Sequence, residues 1–183
     1  MNPLQTILML TAAFLAVFAE ATFPVLRHWL GAQVDLLPVL MVYAALNLDI
    51  ATVSLLAVLG GLWFDALSAN PLGISILPLY AVGFLICLRR DLILRELSFA
   101  QLVLGTVASA VVPGLSVLLL LTAGRQPLLG WGSIWQWIVM TAGGAAATPL
   151  VFALFDWCNH ALGYQPRIEP GFRPDREIRR GRL

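Results

Sequence analysis

Residues 60–73 read Gly60-Gly61-Leu62-Trp63-Phe64-Asp65-Ala66-Leu67-Ser68-Ala69-Asn70-Pro71-Leu72-Gly73. An apolar run carries one carboxylate and then meets a turn. An ionised carboxylate facing hydrocarbon is costly, so Asp65 is expected to face protein or water. Ala57, Gly61 and Asp65 recur at every fourth position and share one helical face. Small residues at that spacing let a second helix come close. Asp65 therefore extends a packing stripe and is expected to point into a helical bundle. The plainer alternative is a helix end with one polar residue at the interface. Asn70-Pro71-Leu72-Gly73 then ends the helix, because Pro71 cannot continue it and Gly73 accepts backbone angles closed to other residues.

The surrounding composition sets the class. The 183 residues are 60% hydrophobic and 11% charged, whereas a soluble domain is roughly a quarter charged. This is the profile of an all-α polytopic membrane bundle. At roughly 20 apolar residues per span, the length allows five or six spans and no sizeable soluble domain. Residues 1–158 form the expected bundle and 159–183 a basic, proline-spaced cytoplasmic tail. Ala19-Glu20-Ala21 has the small-x-small form of a signal-peptide cleavage site. The first five residues carry no basic side chain, however, and residues 4–23 are long enough to span, so a retained first helix is expected.

Five further helices are expected at 36–48, 51–67, 73–88, 99–121 and 134–155. The region from Asp35 to Asp65 is too long for one straight span and barely long enough for two. Two short helices are favoured; a single span would reduce the count to five. Pro78 and Pro113-Gly114 are expected to kink their helices. Trp131, Trp135 and Trp137 fall where an interfacial aromatic belt would lie. Gly143-Gly144 and Ala145-Ala146-Ala147 suit close helix packing, and Asp156 is read as marking the end of the last helix.

Every basic residue is an arginine. With six helices, Arg89, Arg90, Arg95 and the six arginines of the tail share one side, and Arg27 and Arg125 lie on the other. Positive residues favour the cytoplasm, so both termini are expected inside. That topology places Glu20, Asp35 and Asp65 toward the outer leaflet. These acids are either ordinary hydrated helix ends or, with Arg27, a convergent polar patch that recognises a partner. The tail arginines suit either contact with anionic membrane lipid or simple positive-inside anchoring.

No motif supports catalysis. Gly73-Ile74-Ser75 lacks a following glycine, and His28 and His160 are expected on opposite sides, away from Ser75. There is no HExxH and no nucleotide loop. Cys87 and Cys158 have no metal-type spacing and read as small apolar fillers. Neither a cofactor, a metal nor a nucleic-acid partner is expected.

The 61–73 motif resembles that of the MreD family of rod shape-determining membrane proteins. Asp65, Pro71 and Gly73 match the family's motif as they stand here. Asp35-Leu36-Leu37-Pro38-Val39-Leu40 is similar to that family's second-helix start, with Val34 where the family has proline. The similarity covers roughly residues 4–158 in layout, and the arginine-rich tail has no counterpart in it. The resemblance implies a non-enzymatic scaffold of the bacterial inner membrane, in the complex that directs lateral peptidoglycan synthesis. It implies binding to the bitopic protein MreC, beside MreB, RodA and a class B penicillin-binding transpeptidase. It also implies a fold similar to the substrate-binding subunits of energy-coupling-factor transporters. Such a vitamin-transporter subunit is the rival expectation, for which the Ala12 and Ala16 spacing in the first helix is a weak pointer.

Overall fold

The computed structural model describes residues 3–22, 31–68, 71–90, 98–125 and 130–161. Arg27, His28, Asn70, Arg95 and the tail beyond Ala161, all named above, lie outside the described residues. Six helices are present among those described: α1 Pro3–Thr22, α2 Leu37–Asn47, α3 Ile50–Leu67, α4 Ile76–Arg89, α5 Ser98–Thr122 and α6 Trp131–Ala161. Of these, α1, α3, α5 and α6 are long and apolar enough to cross a membrane.

The hub is α2. Its eleven residues rise only about 16 Å, yet every residue from Leu37 to Leu46 is buried. The sequence explains this: Leu-Pro-Val-Leu-Met-Val-Tyr-Ala-Ala-Leu has no polar stripe, and a helix apolar all round must be covered all round. The other five helices pack against it. Pro38 stands in the first turn, where its missing N–H costs nothing. Tyr43 packs between Phe152 and Phe155 of α6, with ring centroids 5.0 and 4.5 Å away. On the α4 side, a Cβ at Gly83 would come within 2.5 Å of the Met41 sulfur, so that crossing requires glycine.

The helices alternate between two ends of the bundle. Thr6 and Thr52 share a hydrogen bond of 2.9 Å, and Phe14 meets the edge of Trp63 at 5.3 Å. The starts of α1 and α3 therefore lie together, and Glu20 and Asp65 share the opposite end. Leu37 packs on Gly60, which brings Asp35 to that same acid end. Arg89 and Arg90 close α4 at the other end. Helix α5 returns to the acid end and α6 runs back, as the Asn159 amide donating to the Tyr43 hydroxyl at 3.2 Å requires.

Helices α5 and α6 interlock antiparallel through reciprocal small residues. A Cβ at Gly105 would strike Thr148, and one at Gly144 would strike Ser109, each at 1.8 Å. Gly143 likewise accepts Val34, so the 143–144 pair does serve close packing.

Three helix expectations are corrected. The turn over Leu72–Ser75 delays α4 to Ile76. Pro78 consequently sits in its first turn, where no hydrogen bond is lost and no kink is needed. Helix α6 begins at Trp131 and runs past Asp156 to Ala161, beyond the expected tail boundary, because exposed Asp156 is tolerated on its outer face. It also carries an internal proline, Pro149.

Candidate functional site

The α3–α4 connection is tied by one side chain. Asp65 is 1% exposed, and its stripe partners Ala57 and Gly61 are buried with it. Ser68 N–H closes the helix on the Phe64 carbonyl at 2.9 Å. Beyond Pro71 the chain turns back through Gly73, whose φ of 94° suits glycine and strains other residues. Asp65 Oδ2 accepts from the Gly73 N–H at 2.8 Å and the Ser75 N–H at 3.1 Å. Asp65 Oδ1 accepts from the Ser75 hydroxyl at 2.5 Å. Buried hydrogen bonds of this kind are costly to lose. They satisfy non-helical backbone that would otherwise be orphaned. A Cβ at Gly61 would lie 3.0 Å from the backbone of Ile76. The helix received by the Ala57–Gly61–Asp65 stripe is thus the chain's own α4.

A second polar cluster supports the residues leading into α2. The Gln136 amide of α6 pairs with the Gln33 backbone like a strand neighbour: its oxygen accepts from the Gln33 N–H at 3.1 Å, and its nitrogen donates to the Gln33 carbonyl at 2.9 Å. Glu20 Oε1, from α1, accepts from the Leu36 N–H at 2.7 Å. Asp35 Oδ1 accepts from the Leu37 N–H at 2.9 Å. Glu20 and Asp35 are close enough for their charges to act on one another. Glu20 Oε2 is buried without a hydrogen-bond partner among the described residues. Burial pushes the Asp35 carboxyl up to about 6, against the lowering effect of the Leu37 N–H.

Of the residues singled out in the sequence, the fold brings Glu20 and Asp35 together. Asp65 stands at the same end with partners of its own, joined to Pro71 and Gly73 through the turn. Arg27 and Asn70 lie outside the described residues. Gln33 and Gln136 escaped the sequence reading, which weighs Ser75 only as a nucleophile. A glutamine inside an apolar helical run was the available signal for Gln136. Among the described residues, no group of three His, Cys, Asp or Glu side chains could hold a metal ion. No protein-family model, curated protein or solved structure matches the chain.

Proposed function

We propose that this chain is a multi-pass protein of the bacterial cytoplasmic membrane, acting as a non-enzymatic scaffold of the cell-elongation complex. The observation that carries the reading is the Asp65 clasp. The three residues that resemble the MreD family's motif, Asp65, Pro71 and Gly73, work as one unit: the carboxylate closes the turn that the proline and glycine permit. Such a motif fixes the relative placement of two helices, which is what a docking surface needs. The Asp65 oxygens are committed to the chain's own backbone and Ser75, leaving the carboxylate engaged in architecture. The chain would hold the single-span MreC and stand beside MreB, RodA and a class B transpeptidase. Arg89 and Arg90 at the end opposite the acids agree with cytoplasmic termini.

The test is affinity purification of the full chain from its native membrane, with mass spectrometry of proteins and small molecules. A single-span partner recovered in near-equal amount supports the scaffold. Recovery of ABC-type ATPases with a tightly held vitamin-like solute would replace it with the transporter-subunit reading.

A further inference from the structure

A groove of about 550 Å³ lies between α5 and α6 near the acid end. Pro113, Gly114 and Val117 form one wall, and Ile134, Trp137 and Met140 the other. Its cause is visible in the sequence. Pro113 interrupts the α5 ladder, Gly114 has no side chain, and the Trp137 indole lies 3.1 Å from where a Gly114 Cβ would be. The indole N–H donates to the Ala110 carbonyl at 2.9 Å, which fixes the ring as a rigid wall.

In a bilayer such an opening is filled by something apolar, because an empty void forfeits the contacts of its whole lining. A spanning helix, about 10–12 Å across with its side chains, would cap the groove without filling it. A flexible acyl chain fits. The rim marks where its headgroup would stand. Trp131 and Trp135 are exposed at this end of α6, as residues at headgroup level are. On the other wall α5 ends in a Gly124 turn. There the Arg125 N–H bonds the Leu120 carbonyl, within about one helical turn of Val117, and Arg125 is exposed.

We infer that this groove holds one anionic phospholipid, its acyl chain against Val117, Trp137 and Met140 and its phosphate at Arg125. The inference rests on the membrane placement of the chain and is independent of the scaffold role.

The experiment uses the full chain in nanodiscs of mixed phosphatidylglycerol and phosphatidylcholine, released into the gas phase and weighed with its bound lipid. The wild type is expected to retain one lipid per copy and to prefer phosphatidylglycerol about fivefold, the effect of one arginine near an anionic surface. Arg125→Gln should retain the lipid and lose the preference. Val117→Trp, which fills the groove, should lose the lipid. An Arg125→Gln protein with unchanged preference, or wild type and Val117→Trp retaining lipid equally, would overturn the inference. Failure of the wild type to float with membranes would overturn both it and the bilayer placement. A membrane-integrated chain that retains no lipid would overturn the groove alone.

Discussion

Two clusters at one end of the bundle do the same job with opposite completeness. Both use carboxylates to satisfy backbone N–H groups outside the helical ladders: Asp65 at Gly73 and Ser75, and Glu20 with Asp35 at Leu36 and Leu37, where α2 starts. Asp65 receives three donors on its two oxygens. Glu20 has the Leu36 N–H and the Gln33 side chain as donors, its Oε2 is buried without a hydrogen-bond partner among the described residues, and another acid stands beside it. The difference separates a saturated clasp from a seam with spare capacity. A saturated carboxylate is costly to remove, whereas one crowded by a like charge can be neutralised with little loss.

The largest effect is expected at the clasp. Asp65→Ala strands the buried N–H groups of Gly73 and Ser75 and should destabilise the protein by about 3 kcal/mol or more, read from thermal unfolding in detergent. A loss under about 1 kcal/mol would break the comparison. Gln136→Ala comes next. It leaves the Gln33 N–H and carbonyl without their partner and should cost about 2 kcal/mol, with hydrogen exchange rising at residues 33–37. Ser75→Ala removes one of the clasp's three bonds and should cost about 1 kcal/mol. Glu20→Gln is the smallest change and the sharpest contrast with Asp65. Its oxygen still accepts from Leu36, and the new amide can donate to Asp35, so stability should hold within about 0.5 kcal/mol or improve.

The acid seam also sets a pH dependence. Burial lifts the folded Asp35 carboxyl from its ordinary 3.8 to about 6. Between those values the folded protein holds the proton more firmly than the unfolded chain. Stability should therefore rise as pH falls through 6 and level off below about 4. Asp35→Asn should shrink that rise, and Asp35→Asn combined with Glu20→Gln should abolish it, measured as the unfolding midpoint against pH.

Much of the clasp was legible because its signals are local. A carboxylate at four-residue spacing from small residues, followed by proline and glycine, specifies a helix face and a turn within fourteen positions. Counting helices puts Glu20 and Asp35 at one end of the bundle but leaves open whether they meet. The hub role of α2 was not legible, because ten apolar residues look alike whether they face lipid or five neighbours. The Gln33–Gln136 pairing joins residues 103 apart, and no local pattern encodes such a partnership. Pro78 was misread for a similar reason: its effect depends on where the helix starts, and the Asp65–Ser75 bonds move that start to Ile76.

The most direct test of the proposed scaffold role is the cell shape of the native host. Clean deletion should round the cells. Wild-type and Glu20→Gln chains should restore rods, while Asp65→Ala should not. Rods of unaltered length and width after deletion would contradict the scaffold role.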